Sequence, residues 1–357
     1  VETNFITPVI NTKMDIKLTQ YSTAGGCGCK VPNNLLSDII KNIKISDNKN
    51  IISDFRHNED SAIVKINDTQ CLVYSLDFFT PIVDDPELFG RIAAANALSD
   101  IFAKGAKPTM ALSILGFPKE IDHSDAPARI LKGASDLCEE LGVAILGGHT
   151  IYNPQIIFGL SVVGIADIRQ LKLNNNAQPG DLIYITKPLG TGILSTALKK
   201  DCLFGEEKKH MEKYLALPNN LGAVLGNYDF VNCMTDITGF GLIGHLSEIC
   251  TASKVSATID MKKVKILNNL EDYIEMGIST SGGRTNWENN RCNVNGIDEK
   301  TAAILSDPQS NGGLLITVKP DFRKQFEEIL IDNKLGEFIE PVGEITLQKD
   351  LLLDVVG

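Results

Sequence analysis

An acidic residue and an amide set into an Ala-rich, apolar helix constrain this chain most. Residues 71 to 105 read as strand, turn, helix. Cys71 to Leu76 is apolar and β-prone, which predicts a short buried strand. Asp84 or Asp85 suits the cap of the next helix, and Pro86 suits its first turn. Leu88, Ile92, Ala95, Leu98 and Phe102 recur at helical spacing and predict the core face. Gly105 stops the helix. Asn96 and Asp100 stand one turn apart and so share a face, although both are mediocre helix formers. Asp77 stands at the carboxyl end of the preceding strand, where α/β ligands usually bind. Asp77, Asn96 and Asp100 therefore read as a metal or phosphate site. The alternative is a cap plus a solvated face, and these residues alone leave both open.

A chain of 357 residues suggests two domains. A net charge of -11 argues against non-specific binding to nucleic acid or anionic membrane, so an anionic substrate would need cations or a local basic pocket. No apolar run approaches the roughly 20 residues of a membrane span. Val1 to Thr12 does not read as a signal peptide. The cysteines are scattered singly except Cys27 and Cys29, which suggests reduced thiols and a cytoplasmic protein.

Residues 1–17 read as a loose leader, followed by Leu18-Thr-Gln-Tyr-Ser-Thr-Ala-Gly-Gly-Cys27-Gly-Cys29-Lys30. The glycines make this backbone permissive, and Lys30 is close enough in sequence to favour a neighbouring thiolate. A zinc-binding Cys-x-Cys would need a second close Cys or Cys/His pair, and the sequence offers none. On spacing alone, a flexible linker with two incidental thiols outranks a zinc site. Val31 to Lys44 predicts a short helix with Leu35, Leu36, Ile39, Ile40 and Ile43 on one side. Glu59-Asp60 reads as a loop-to-strand junction. Pro108 to Phe117 reads as a strand and Ser124 to Leu141 as a helix capped by Ser124. Val143 to Leu146 is a strand running into a turn, Gly147-Gly148-His149-Thr150, whose glycines would allow close approach of a phosphate. Ile156 to Ile165 closes the first domain.

Beyond a polar connection at Leu171 to Pro179, Asp181 opens a second α/β unit. Gly190-Thr-Gly192 turns strand into helix; that amino terminus suits either an anion or a purely structural turn. Lys199 to Lys213 is charged and predicted to be exposed, and Val255 to Asn295 is weakly patterned. Gly239-Phe-Gly241-Leu-Ile-Gly244 matches a dinucleotide fingerprint, with Asp260 downstream. That fingerprint needs a strand feeding directly into its first glycine, and Thr235-Asp236-Ile-Thr intervenes. Ser306-Asp-Pro-Gln-Ser310-Asn311-Gly-Gly reads as a turn into a buried strand, and the tail supplies a helix near Phe322 to Leu330 and a final strand or two.

Four stretches together resemble the selenophosphate synthetase (selenide, water dikinase) family. They are Leu18-Thr-Gln-Tyr-Ser before Gly-Cys27-Gly-Cys29-Lys30, the whole of Asp77 to Ala103, Met234-Thr-Asp236 to Glu248, and Asp307-Pro-Gln to Leu314. The resemblance runs from Leu18 to about Glu344. It implies an α+β, two-domain PurM-like architecture with mixed sheets packed with helices, a flexible segment at 1–30, an ATP/metal-binding domain at 31–170 and a second domain at 171–357. It also implies a homodimer formed through the amino-terminal sheet.

The family reaction joins ATP, selenide and water to give selenophosphate, phosphate and AMP, for selenoprotein synthesis. The resemblance gives Cys27 the handling of selenide and Lys30 the charge at the transferring phosphate. It implies Mg2+ ligands at Asp60, Asp77, Asp100 and Asp236, and nucleotide contacts at Lys30, Asp77, Asn96, Asp100, Gly148, His149 and Thr150. A potassium requirement and a selenide-delivery protein are further expectations. His57 and Asn58 depart from the family's Thr-Arg, Thr23 from its His, Thr150 from its Ser, and Ser310-Asn311 from its Thr-Ser. Phosphoryl transfer is catalysed mainly by positioning and charge stabilisation, and Mg2+ wants hard oxygens, so separated carboxylates meet the need. A P-loop is absent. Two rivals are a related ATP-using synthetase, which would not need Cys27 and Lys30, and a non-catalytic paralogue sensing redox state through Cys27.

Overall fold

The computed structural model describes residues 16–22, 25–26, 30–31, 33–44, 48–54 and 59–357. The first sheet holds β1 (Ile51–Ser53), β2 (Ala62–Lys65), β3 (Gln70–Phe79), β4 (Lys107–Phe117), β5 (Ala144–Tyr152) and β6 (Ile157–Asp167), in the order β1-β2-β3-β6-β4-β5. Its helices are α1 (Asn33–Ile40), α2 (Pro86–Ala103) and α3 (Ala126–Glu140). The second sheet holds β7 (Leu182–Ile185), β8 (Val231–Asp236), β9 (Val255–Asp260), β10 (Leu314–Val318), β11 (Gly343–Leu347) and β12 (Leu353–Val356), in the order β12-β9-β11-β7-β10-β8. Around it lie α4 (Thr191–Lys199), α5 (Gly205–Ala216), α6 (Leu221–Leu225), α7 (Gly241–Ser253), α8 (Leu270–Glu275), α9 (Ser281–Asn290), α10 (Glu299–Ser306) and α11 (Arg323–Asp332). Both sheets are antiparallel except for the pairs β4–β5 and β9–β12. This is the expected α+β arrangement of two mixed sheets packed with helices.

The strand expected at 71–76 is longer and only half buried. Cys71, Val73 and Ser75 of β3 face the core, whereas Leu72, Tyr74, Leu76 and Phe78 are exposed on the other face. Helix α2 starts as expected: Asp85 accepts from the Leu88 N–H, and Pro86 fills the first turn. It departs from expectation by being buried on nearly every side, not along one stripe. It lies between its own sheet, α3 and the second domain's β8, α5 and α6. Close approach to α3 depends on glycine: a Cβ on Gly90 would run into the Ile130 carbonyl, and one on Gly133 into that of Glu87.

Other expectations need correction. Ser124 is not the cap; α3 begins at Ala126 after Asp125, whose side chain makes no capping bond. Gly147 to Thr150 is not a turn but part of β5, because β4 offers it a parallel partner that resumes after a bulge: Ser113 faces Gly148 and Leu115 faces Thr150. The helix expected over Val31 to Lys44 is shorter; the apolar side of α1 is largely exposed at Leu35, Leu36 and Ile39, and Ile43 lies exposed beyond its end. The weakly patterned 255–295 stretch contains a full strand, β9, and helices α8 and α9. In the charged 199–213 stretch, Met211 is buried by α5. The start of α4 is a structural turn whose acceptors are internal. Asp307 Oδ2 accepts from the Gly192 and Ile193 N–H groups at 3.0 and 3.1 Å, and Gln309 Oε1 accepts from Gly190 and Thr191.

Candidate active site

Three polar residues of the carboxyl half of α2, Asn96, Ser99 and Asp100, and its cap residue Lys104 fall at helical spacing among buried apolar neighbours. A buried polar group must be paired or it costs stability, and each of these is paired. Asn96 Nδ2 donates to Asp77 Oδ2 at 2.9 Å. Ser99 Oγ donates to Asp236 Oδ2 at 2.6 Å, across the domain boundary. The Asp100 carboxylate accepts a short bond from Ser75 Oγ. Lys104 Nζ, fully buried, reaches Glu59 Oε2 at 2.6 Å, Asp60 Oδ2 at 2.9 Å and Asn174 Oδ1 at 3.2 Å.

The stripe gathers carboxylates from three elements. Oxygens of Asp60, Asp100 and Asp236 lie within 4.8 Å of one another. Asp77 stands beside this group; its Oδ1 lies 3.3 Å from Lys30 Nζ. Thr235 Oγ1 donates to both oxygens of Asp60 at 3.0 and 2.8 Å. His245 donates or accepts at Thr238 through Nε2 and pairs with Glu248 through Nδ1 at 3.3 Å.

The electrostatics follow from crowding. Burial, then Asp77, Asp236 and Asp60, hold the Asp100 carboxyl well above its ordinary range. Burial and then Asp60 raise Asp236 to about 6. Burial alone would also raise Asp60, but Lys104 and His245 outweigh it and the net shift is downward. Burial would depress Lys104, and Asp60 and Glu59 more than reverse that. The hard oxygen donors, their mutual repulsion and the buried Asp236 Oδ1, which lacks a hydrogen-bond partner, all fit a divalent cation.

The other expected residues divide. Cys27 and Cys29 lie outside the described residues, as do Thr23, His57 and Asn58. Gly26, just before Cys27, donates its N–H to the Thr80 carbonyl at 3.2 Å beyond the end of β3. Gly148, His149 and Thr150 are exposed on edge strand β5. Three strand spacings, roughly 14 Å, separate β5 from β3 and its Asp77. The structure therefore does not bring them to the acidic group of the same chain. The sequence reading missed Lys104, Ser99, Ser75, Thr235 and His245. Lys104 carried a usable signal, since it stands one turn beyond Asp100 on the same face.

Residues 58–166 match the AIR synthase related protein, N-terminal domain, and residues 178–355 match the corresponding C-terminal domain. A selenide, water dikinase from Colwellia psychrerythraea is 40% identical over 331 residues, covering 92% of this chain and 96% of the relative. One from a Sulfurovum species is 39% identical over 345 residues, covering 96% and 99%. The chain belongs to the selenide, water dikinase family. Among solved structures, a thiamine-monophosphate kinase from Stenotrophomonas maltophilia aligns with a TM-score of 0.64 at 20% identity, covering 87% of this chain and 92% of that one. A hydrogenase maturation protein, HypE, in complex with ATP aligns at 0.61 and 16%, covering 93% and 90%. Those two likenesses concern the fold, which is PurM-like as the dikinase resemblance implies.

Proposed function

We propose that this protein makes selenophosphate from ATP, selenide and water, releasing AMP and phosphate. One observation carries the reading: Asp60, Asp100 and Asp236, drawn from both domains, converge beside the Lys30–Asp77 pair. Asp60, Asp100 and Asp236, with Asp77 at their side, would hold Mg2+. Bound there, Mg2+ would neutralise phosphate charge. Lys30 supplies an ammonium group to the transferring phosphate, aimed by Asp77, which Asn96 aims in turn. Cys27, three residues before Lys30, presents selenide. Lys104 and His245 keep Asp60 ionised.

The outer face of the first sheet exposes Leu72, Tyr74, Leu76, Phe78, Leu112 and Tyr152, more apolar surface than a solvated sheet face normally carries. It suits a second copy of the chain, and Gly148, His149 and Thr150 would then meet nucleotide across that dimer. In this reading the chain divides at 1–30, 31–170 and 171–357, potassium is the activating ion, and selenide arrives on a delivery protein. No helix among the described residues is long and apolar enough to cross a membrane. A cytoplasmic location rests on the thiols, all free among the described cysteines.

The test is phosphorus NMR of ATP and selenide with the protein and Mg2+. A selenophosphate resonance with matching AMP is expected, and both should vanish in Asp100→Asn. ATP consumption that yields ADP, or no dependence on selenide, would refute the proposal.

A further inference from the structure

The turn from α10 into β10 crosses from the second domain to the site without contributing a carboxylate to it. Its Asn311 is fully buried and left-handed, with φ +46°, a conformation asparagine tolerates better than most residues. The Asn311 N–H donates to Asn96 Oδ1 at 2.8 Å. Asn96 then donates from Nδ2 to Asp77, which faces Lys30. An amide flip would set Asn96 Nδ2 against an N–H and its oxygen against a carboxylate, so the two partners fix one orientation.

The next residue does the same for the other domain. The Gly312 carbonyl accepts from Asn219 Nδ2 at 2.8 Å; that group also donates to Ser99 Oγ at 2.8 Å, and Ser99 holds Asp236. Asn311 is itself pinned. Its Nδ2 donates to the Leu215 and Leu217 carbonyls at 2.6 and 2.9 Å, and its own carbonyl accepts from the buried Lys187 Nζ at 2.8 Å.

We propose that Asn311 is a positioning residue for phosphoryl transfer: its left-handed N–H fixes the Asn96 amide, and through it Asp77 and Lys30. The inference rests on the proposed dikinase reading of this site. The test measures kcat and the KM for ATP in selenide-dependent AMP formation, with thermal unfolding to confirm folding. Asn311→Ala should lower kcat about tenfold with KM changed less than twofold, because alanine resists positive φ. Asn311→Gly, which accepts it, should recover most of kcat. In an Asn96→Ala background, Asn311→Ala should add less than a twofold loss. Multiplying losses, or equal losses in the Ala and Gly variants, overturn the proposal. If Asn311→Ala does not fold, Asn96→Asp serves: it keeps the acceptor for the Asn311 N–H but repels Asp77, so wild-type kcat there overturns the proposal. Lys30→Ala is run alongside. Its inactivity upholds the site reading whatever Asn311 does; its full activity overturns both.

Discussion

Lys104→Met tests the electrostatic frame of the site most directly. The methionine has similar length and a similar apolar stem, so it removes the ammonium without opening a large cavity. Lys104 is fully buried and its partners Glu59 and Asp60 are at most 10% exposed, so solvent screens the loss little. Breaking a buried pair from one side costs about 3–5 kcal/mol, because the remaining charge is left unpaired. At about 2–4 °C per kcal/mol for a domain of this size, Tm should fall by roughly 6–20 °C. The assay is urea and thermal unfolding of wild type, Lys104→Met and the double variant Glu59→Gln/Lys104→Met, each with EDTA and with excess Mg2+. Removing the Glu59 charge should restore part of the loss. Mg2+ should raise the Tm of Lys104→Met more than that of wild type, since a cation at Asp60 replaces the missing ammonium. A loss below about 1 kcal/mol would refute the argument from burial. A Mg2+ response no larger than that of wild type would separate Lys104 from the cation site.

In EDTA, stability should fall as pH rises from about 4 through about 6. Asp236 has its folded value raised from 3.8 to about 6, so its contribution is complete below the unfolded value and lost above the folded one; Asp100 shifts the same way. The span from Asp236 is on the order of 3 kcal/mol at most; Asp236→Asn should flatten it and Mg2+ should cancel it, whereas a flat wild-type profile would contradict the assignment. Cys27→Ser and Lys30→Ala should each abolish selenide-dependent AMP formation with an unchanged Tm, and Cys29→Ser should stay active; product in either of the first two would remove that residue from the chemistry. Gly90→Ala should destabilise by about 1–3 kcal/mol, read from the urea midpoint, because the added Cβ meets the Ile130 carbonyl. Phe78→Lys or Leu76→Lys should shift sedimentation to the monomer; an unchanged species would place any dimer contact elsewhere.

What the sequence made legible was local. Asp85 and Pro86 start α2 as their chemistry requires, and Asn96 and Asp100 share a face because a helix makes them. The two-sheet division was legible from the succession of strands and from the family resemblance. Burial around α2 was not, because it depends on β8, α5 and α6, which fold against it from the second half of the chain. The stripe looked like two residues and not four because its partners are distant in sequence: Ser99 has meaning only once Asp236 arrives from the second half, and Lys104 only once Glu59 and Asp60 fold back onto the helix from before it. Gly147 to Thr150 failed as a turn because parallel pairing to β4 overrode glycine's preference.

The polar stripe also explains why the site sits between domains. Helix α2 packed on its own sheet alone would leave Ser99 without Asp236 and the apolar side that meets β8, α5 and α6 in water. The second domain brings Asp236 to Ser99, the Met234 carbonyl to Lys104 at 3.4 Å, and Asn311 to Asn96. Satisfying the helix and assembling the carboxylates are therefore one event. Docking of the domains places three acids within 4.8 Å of one another, and like charges so close repel strongly at low dielectric. Lys104 offsets that repulsion at Asp60 alone. The charge left over on Asp100 and Asp236 is what a divalent cation would answer, so the interface that stabilises α2 is also the one left waiting for metal and triphosphate.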